Sequence, residues 1–330
     1  MRKECIYEAI LNDIMNASIS ENYKNKMLKN VMRLKAQKMN IMITGATGCG
    51  KSSTINAIFG TEVAEVGFGV DPETMGIRKY ELDNLVLWDT PGLGDGKEAD
   101  NRHTKNIIKK LSEVDKNGNA LIDLVLVILD GGSRDLGTSY ELINKVIIPN
   151  LGKGKENRIL VAINQADMAM KGRNWDYDKN EPNQKLVNFL EEKVRSVRDR
   201  VYEATGVIVE PIYYSAGYKG WGEQSRPYNL SKLLYYIVKA IPSEKRAIYV
   251  NNINENREMW RDDDKLLDYG EATRKSIFES IREGASAGAG IGGAIGGAID
   301  GILGSEGESI FRGVGEAIGG IIGGIIGFFF

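Results

Sequence analysis

Residues 45–52 constrain the fold of this chain more than any other part of the sequence. They read Gly-Ala-Thr-Gly-Cys-Gly-Lys-Ser and stand between an apolar stretch, residues 41–44, and a helix-compatible stretch, residues 53–59. Glycines at these positions let backbone N–H groups curl toward an anion, and the positive end of the following helix adds to the attraction. An ordinary glycine turn is the alternative. Because every fixed position of the pattern is filled, the sequence predicts a phosphate-binding loop between a strand and a helix.

Two side chains of this loop are assigned to the phosphates and to a metal ion. The Lys51 ammonium would reach the β- and γ-phosphates of a nucleoside triphosphate, and the Ser52 hydroxyl would ligate Mg²⁺. The residues expected to line the phosphates are Gly45, Ala46, Thr47, Gly48, Cys49, Gly50, Lys51, Ser52 and Ser53. By itself the loop predicts only that the ligand is a nucleoside triphosphate.

A second motif, Asp89-Thr90-Pro91-Gly92, directly follows the predicted strand 85–88. Neighbouring parallel strands end at the same edge of a sheet, so this motif places a carboxylate beside the phosphate loop. There Asp89 can hold Mg²⁺ through water, while the Gly92 N–H can meet the γ-phosphate. Alone it is a common turn sequence. At this distance after a phosphate loop it is strong evidence for nucleotide chemistry.

A third motif, Asn164-Gln165-Ala166-Asp167, follows the predicted strand 158–163. Guanine presents two adjacent donors, N1–H and the 2-amino group, and one carboxylate accepts both, so Asp167 would select guanine. Asn164 could tie this motif to the phosphate loop, and the backbone of Ser215 and Ala216 could donate to guanine O6. The alternative is that Asp167 only caps a helix.

The region between these motifs alternates short β-rich runs with helical stretches. The predicted strands are residues 41–44, 77–82, 85–88, 121–129, 158–163 and 207–213. This alternation is typical of an α/β fold with a doubly wound, mainly parallel sheet. Residues 122–129 are almost all apolar, so we expect them in the centre of the sheet.

In order and spacing, the motifs resemble the G1, G3, G4 and G5 elements of small GTPases. The nearer likeness is to the Era/TrmE-like P-loop GTPases and, within them, to the bacterial YfjP-type group. Residues 48–59 are also similar to the phosphate loop of immunity-related GTPases. The resemblance covers about residues 40–240. It implies that GTP is hydrolysed to GDP and phosphate with Mg²⁺.

The same resemblance implies a G2 threonine that closes over Mg²⁺. Thr74 precedes a predicted strand at the expected place, and Thr61 is the weaker rival. An ordinary loop hydroxyl is the alternative for Thr74, because such segments vary. The expected catalytic residues are therefore Lys51, Thr74 and Gly92, and the expected metal ligands are Ser52, Thr74 and Asp89.

Three positions depart from the family pattern. Gln165 replaces the lysine whose stem covers the guanine face, so nucleotide affinity is expected to be modest. Leu93 stands where Ras-like proteins carry a catalytic glutamine, and it cannot orient water. Gly48 stands where some relatives hold potassium with asparagine. These departures predict slow intrinsic hydrolysis that self-association or a partner accelerates. Candidates for an additional positive charge are Arg78, Arg102 and Arg134.

The chain divides into four predicted segments. Residues 1–38 form an N-terminal pair of amphipathic helices, 39–241 the GTPase domain, 242–283 a solvated connector helix carrying the charges of 261–265, and 284–330 a tail. The tail holds 17 of the 39 glycines, and small residues recur in it every four positions. That spacing predicts a glycine-zipper helical hairpin that enters a membrane or self-assembles. Its uncharged runs are shorter than the ~20 residues a spanning helix needs, and packing in water is the alternative.

Composition limits the partners. Lys plus Arg number 43 and Asp plus Glu 45, so no global positive field attracts nucleic acid. Two cysteines form no disulfide framework, and the first residues show no signal-peptide pattern, so we expect a cytoplasmic protein, peripheral or inserted at a membrane through its tail. Two other functions stay open: an RNA- or ribosome-associated assembly GTPase, and a membrane-active, pore-forming effector that GTP regulates. A homo-oligomer is the further expected partner.

Overall fold

A six-stranded sheet organises the chain. The computed structural model describes residues 6–16, 21–60, 76–94, 96–152, 154–217, 225–250 and 252–286. The strands are β1 (Met39–Gly45), β2 (Arg78–Leu82), β3 (Leu85–Asp89), β4 (Leu124–Asp130), β5 (Ile159–Asn164), the short pair β6 (Trp175–Asp176) and β7 (Glu181–Pro182), and β8 (Ile212–Tyr213). The sheet order is β2-β3-β1-β4-β5-β8, and only β2 runs antiparallel to its neighbour. The predicted α/β fold with a mainly parallel sheet is confirmed.

Helices cover both faces of this sheet. They are α1 (Ile6–Asn16), α2 (Glu21–Lys35), α3 (Lys51–Phe59), α4 (Lys97–Ser112), α5 (Gly137–Glu141), α6 (Gln184–Thr205), α7 (Leu230–Ala240), α8 (Arg246–Val250) and α9 (Tyr269–Ser286). A π-helical segment, Leu142–Ile147, and a final turn, Ile148–Asn150, continue α5. Helices α4, α5 and α6 lie on one face of the sheet, and α1, α2, α3, α7, α8 and α9 lie on the other.

The strands build both cores because their side chains alternate between faces. In β4, Leu124, Leu126 and Ile128 enter the core on the α1 side, while Val125 and Val127 enter the core on the α6 side. Since β4 lies between β1 and β5, both of its faces are buried. An uninterrupted apolar strand is the sequence consequence of that position, and its predicted central place is confirmed.

The two N-terminal helices form as predicted and pack on the sheet. Tyr7 and Ile14 of α1 and Val31 and Leu34 of α2 are buried in the same core as β1. Burial of the apolar stripe of each helix supplies the stability that short isolated helices lack in water.

The predicted solvated helix through residues 261–265 is wrong. A 3₁₀ turn, Arg257–Trp260, precedes this stretch, and α9 begins only after it. The Asp263 carboxylate accepts a hydrogen bond from Ser231 Oγ at 2.8 Å, and Asp264 accepts one from Lys232 Nζ at 2.6 Å. These acids bind the first turn of α7, so the backbone follows those partners instead of helical geometry.

Strand β8 is shorter than predicted. Residues 207–213 were expected to be extended, but only Ile212 and Tyr213 pair with β5. Pro211 directly precedes the pair and has no N–H to donate to a neighbouring strand, so the ladder begins after it.

Several sequence predictions fall outside the described residues. They concern Thr61, Thr74 and residues 287–330, so the hairpin and the segment boundaries stay predictions. Across the described ranges, no helix combines the length and hydropathy needed to cross a bilayer.

The segment after α8 contacts the end of the helix that follows the phosphate loop. Asn254 donates from its backbone N–H to Ile58 O at 2.6 Å and from Nδ2 to Ala57 O at 3.2 Å. The Phe59 ring meets the Tyr249 ring edge-on at 5.4 Å. Terminal helix carbonyls lack intrahelical partners, so these bonds cap α3 from a distant part of the chain.

We expect Asn254→Ala to lower the free energy of unfolding by about 1–2 kcal/mol, because it removes the Nδ2 donor from a part-buried helix end. Chemical denaturation measures the change. Asn252→Ala is the matched control, since among the described residues the side-chain amide of Asn252 donates to Ile248 O within its own turn. Equal losses in both variants would contradict the capping role.

Candidate functional site

The phosphate loop joins β1 to α3 at the carboxyl edge of the sheet. Gly48 and Gly50 have φ values of 81° and 89°, a region that favours glycine. A Cβ on Gly45 would lie 2.2 Å from Ile128 O, and a Cβ on Gly50 would lie 2.2 Å from Asn164 Nδ2. Gly45, Gly48 and Gly50 are therefore required by backbone geometry or close packing. Such a backbone lets the N–H groups of the loop surround an anion.

The Lys51 ammonium lies over its own loop. It donates to Ala46 O at 3.1 Å and to Gly45 O at 3.3 Å. Behind the loop, Thr54 Oγ1 donates to Gly50 O at 2.8 Å and lies 2.6 Å from the Tyr214 hydroxyl. Loop and helix are thus braced from both sides, with the one cation of the loop held where phosphate oxygens would approach.

The Asp89 motif pairs with the phosphate loop through its backbone. Thr47 N donates to Leu93 O at 3.0 Å, and Leu93 N donates to Gly45 O at 3.4 Å. A Cβ on Gly92 would lie 2.2 Å from Thr47 Oγ1, so glycine is required there as well. The Leu93 side chain is only 6% exposed and belongs to the core. Because it is apolar and buried, it cannot hold an attacking water.

The Asp89 carboxyl group fits a metal-binding role. It lies at the end of β3, is 7% exposed, and its Oδ1 has no hydrogen-bond partner in the described part of the chain. Burial raises the pKa of Asp89 to about 6, and the charges of Lys51 and Arg78 oppose that rise. A buried, unpartnered carboxylate oxygen is one that a cation would satisfy. Together with the Ser52 hydroxyl, the donor set suits a hard cation such as Mg²⁺.

The Asn164 motif ties three loops together. Asn164 Nδ2 donates to Cys49 O at 3.0 Å, and Asn164 Oδ1 accepts the Ala216 N–H at 2.9 Å. The neighbouring Gln165 Nε2 donates to Gly48 O at 2.7 Å. The bond to Cys49 O is the contact with the phosphate loop that the sequence predicts, and the bond from Ala216 N adds the loop after β8.

The Asp167 carboxylate is left available for a base. It lies half-buried in the 3₁₀ segment Ala166–Gly172, and no hydrogen bond to it is formed within the described residues. Gln165, with φ of 60°, occupies the cap position of this segment, so the alternative role of Asp167 as the cap does not hold.

The backbone donors expected for guanine O6 need correction. The Ser215 N–H donates to Tyr228 O at 3.0 Å, and the Ala216 N–H donates to Asn164 Oδ1. Both amides thus already have acceptors. The next amide, Gly217 N–H, makes a longer contact of 3.3 Å with Ser215 Oγ and is the least firmly held of the three.

Sequence reasoning missed Lys193 of α6. Its ammonium donates to Gly131 O and Ser133 O at 2.7 Å each and to Asp130 O at 3.3 Å, and burial lowers the pKa of Lys193. The Gly131 N–H in turn donates to Asn164 O at 2.7 Å. Lys193 therefore braces the loop beside the Asn164 motif. Lys193 lies about 60 residues after the loop that it braces, and no sequence motif includes it.

The remaining candidates are only partly brought to the site. Arg78 lies opposite Asp89 in the β2–β3 register, whereas no described contact joins Arg102 or Arg134 to the phosphate loop. Cys49 is buried in that loop, and burial raises the pKa of its thiol to about 11. At neutral pH the thiol is therefore protonated and contributes to packing.

Part of this chain is similar to known proteins. The family model described as "AIG1 family" matches residues 39–201. Translocase of chloroplast 34 from Pisum sativum is 31% identical over 153 residues, which is 44% of this chain and 47% of that protein. Interferon-inducible GTPase 1 from Mus musculus is 34% identical over 87 residues, 24% of this chain and 19% of that protein. The chain spans about half or less of the length of the curated relatives it matches.

Two further similarities concern a bacterial protein and a solved structure. The uncharacterized protein YfjP from Escherichia coli (strain K12) is 27% identical over 148 residues, 44% of this chain and 47% of that protein. The structure of Toc33 from Arabidopsis thaliana with GDP and Mg²⁺ aligns over 84% of this chain and 96% of that chain, with 15% identity and a TM-score of 0.40.

Asp89→Asn is expected to stabilise the protein free of nucleotide and Mg²⁺ at neutral pH. Burial raises the pKa from 3.8 to about 6, so the folded state binds the proton more tightly than the unfolded chain. The charged carboxylate therefore destabilises the fold above about pH 6, and this cost vanishes as pH falls toward 3.8. We expect a gain of about 1–3 kcal/mol in the free energy of unfolding at about pH 7.5.

Urea denaturation in EDTA across this pH range measures the gain. Asp115→Asn is the control, since N–H donors of its own loop lower the pKa of the exposed Asp115 carboxyl, and that variant should not be stabilised. Loss of stability in Asp89→Asn at neutral pH would contradict the cost assigned to the buried charge.

We expect Lys193→Met to lower the free energy of unfolding by about 1–3 kcal/mol and to weaken GDP binding, because it leaves three backbone carbonyls without a donor. Denaturation and titration with a fluorescent GDP analogue give both values. Lys185→Met, on the exposed start of the same helix, is the control. Unchanged GDP affinity would restrict Lys193 to a structural role.

Proposed function

We propose that this chain, whose residues 39–201 match the AIG1 family model, is a P-loop GTPase that acts as a GTP-dependent switch and cycles between GTP- and GDP-bound states. The carrying observation is the convergence of the phosphate loop, the Asp89 motif and the Asn164 motif at one edge of the sheet. Asn164 and the Thr47–Leu93 backbone pair hold these three segments in contact. A change at the γ-phosphate can therefore reach all three.

The phosphate end of the site would work mainly by electrostatics. Lys51 and the loop N–H groups neutralise phosphate charge, and the Gly92 N–H meets the γ-phosphate. Ser52, Asp89 and Thr74 would hold Mg²⁺, which supplies positive charge to the phosphate oxygens when bound. The unpartnered Oδ1 of Asp89 supports its part in this set.

The base end would select guanine through Asp167. A carboxylate accepts from both N1–H and the 2-amino group, whereas adenine has no such pair of donors. Asn164 orders the surrounding loops, and Gln165 is held against Gly48 O. With its amide used in that bond, Gln165 provides a shorter cover for the base than a lysine stem, which supports modest affinity.

Intrinsic hydrolysis would be slow. The position after Gly92 carries the buried Leu93, so the chain has no glutamine there to orient water. Self-association or a partner would then supply the missing catalytic charge. Residues 284–330, rich in glycine and apolar residues, would bring copies together or attach them to a membrane from the cytoplasmic side.

We expect Asp167→Asn to weaken GTP binding at least tenfold, because an amide can accept only one of the two guanine donors and its NH₂ opposes the other. Titrations with GTP and ATP measure this selectivity, and Asp178→Asn, exposed in the turn between β6 and β7, is the matched control. If the parent protein bound ATP and GTP with equal affinity, the assignment of residues 164–167 as the base-binding site would be overturned.

The role of the tail is tested by turnover at several protein concentrations, with a truncation before Gly284 beside the full chain. Specific activity that rises with concentration and falls on truncation would support an assembling tail. Activity independent of concentration in both forms would contradict activation by self-association.

A further inference from the structure

The edge of the sheet opposite the nucleotide site carries an excess of positive charge. An open cleft of about 1840 Å³ lies there, among Asn40 of β1, the residues that directly precede β4 and β5, and the chain that follows α7. Eight Lys and Arg line it against five Asp and Glu. We call this surface the basal edge and define it by three exposed cations: Arg33 of α2, Lys116 of the loop after α4, and Lys239 at the end of α7.

Most acids of the cleft are already neutralised. Glu81 binds both Lys38 and Lys79 at 2.9 Å, and Asp123 binds Lys245 at 2.7 Å. Glu113 binds Lys110 at 2.8 Å, the Asp115 carboxylate accepts two N–H groups of its own loop, and Glu244 is the exposed exception. Arg33, Lys116 and Lys239, in contrast, form no ion pair with any described residue. Arg158 and Arg246 of the cleft also lack an ion pair among the described residues, but they are half-buried and donate mainly to backbone carbonyls. The exposed excess charge therefore lies on the three cations that define the surface.

Exposed apolar side chains accompany these cations. Met32, directly before Arg33, is 59% exposed, and Val114, two residues before Lys116, is 62% exposed. Together with the cations they give this surface both charged and apolar groups. Apolar side chains among cations suit the interface of an anionic bilayer, where the charges meet headgroups and the apolar groups enter the acyl boundary.

Helix α9 ends at this same edge. At its beginning, the Tyr269 hydroxyl donates to Asp264, the acid that binds Lys232 in the first turn of α7 near the nucleotide edge. Further along α9, Ser276 accepts from Arg246, and Ser280 donates to Ser243 O. Arg246 and Ser243 both line the basal cleft. The chain that continues into the glycine-rich tail therefore leaves from the side where the cations lie.

We propose that the basal edge docks on an anionic phospholipid surface, so that the nucleotide loops face away from the membrane. The inference rests on the membrane association included in the proposed function and adds a lipid class and an orientation to it. The occupant is a lipid surface because charge, exposed apolar groups and the exit of α9 coincide at this one edge.

The test compares the full-length protein with Arg33→Glu/Lys116→Glu/Lys239→Glu in binding to vesicles. One set of vesicles is phosphatidylcholine alone, and the other contains about 30 mol% phosphatidylglycerol. We expect the parent protein to bind the anionic vesicles at least tenfold more tightly, with a preference that falls as salt is raised, and the triple variant to lose this preference. The control, Lys105→Glu/Lys185→Glu/Arg195→Glu, changes the net charge equally on exposed positions elsewhere and should keep it.

GDP affinity, measured in parallel, confirms that each variant is folded. Equal binding of the parent protein to both vesicle types would overturn the proposed surface while leaving association through the tail intact. Binding to neither type would refute membrane association itself, together with this inference. Loss of the anionic preference in the control as well as in the triple variant would show a net-charge effect and overturn the assignment to the basal edge.

Discussion

One side-chain amide holds the nucleotide site together. Asn164 lies at the end of β5, donates to Cys49 O in the phosphate loop and accepts from Ala216 N in the loop after β8. Its backbone carbonyl receives the Gly131 N–H, so the loop after β4 joins the same network. Because Asn164 is almost fully buried, each of these bonds is made in a low-dielectric setting where an unpaired partner would be costly. Four loops are therefore held in one arrangement through a single residue.

The two edges of the sheet carry different chemistry for a topological reason. Neighbouring parallel strands end together, so the loops proposed to bind phosphate, metal and base collect at the carboxyl edge. The opposite edge collects the strand beginnings and the last turns of the helices that run back, including the end of α2 before β1 and the end of α7. Cations are favoured at helix C-termini, which suits Arg33 and Lys239. The same topology thus separates a site for a nucleotide from a positively charged face.

The C-terminal part is built into the GTPase domain through polar contacts. Asn254 caps α3, and Asp264 and Asp263 bind the first turn of α7. Since α3 begins with Lys51 of the phosphate loop, the region after α8 contacts the far end of the helix whose first residue is proposed to bind phosphate. Helix α3 therefore connects the phosphate loop directly to the region after α8. Its C-terminal end is held by Asn254, about 200 positions away in sequence.

The sequence alone determined the fold class and located the phosphate loop between a strand and a helix, because both follow from local patterns. The phosphate loop needs a strand before it and a helix after it, and the burial of β4 on both faces is visible in its uninterrupted apolar composition. Prediction from the sequence fails where a residue depends on a distant partner. The amides of Ser215 and Ala216, assigned to a base from their position, are used by Tyr228 and Asn164 instead.

Only the tertiary structure decided which polar groups are already satisfied and which are left over. Lys193 braces a loop from another helix, and residues 261–265 leave the predicted helix because their carboxylates meet α7. Arg33 likewise has no ion pair among the described residues, because none of their carboxylates lies close enough to it in the folded chain. Such outcomes depend on long-range contacts that no spacing along the chain encodes, whereas strands, helices and the phosphate loop arise from short-range periodicity and backbone sterics.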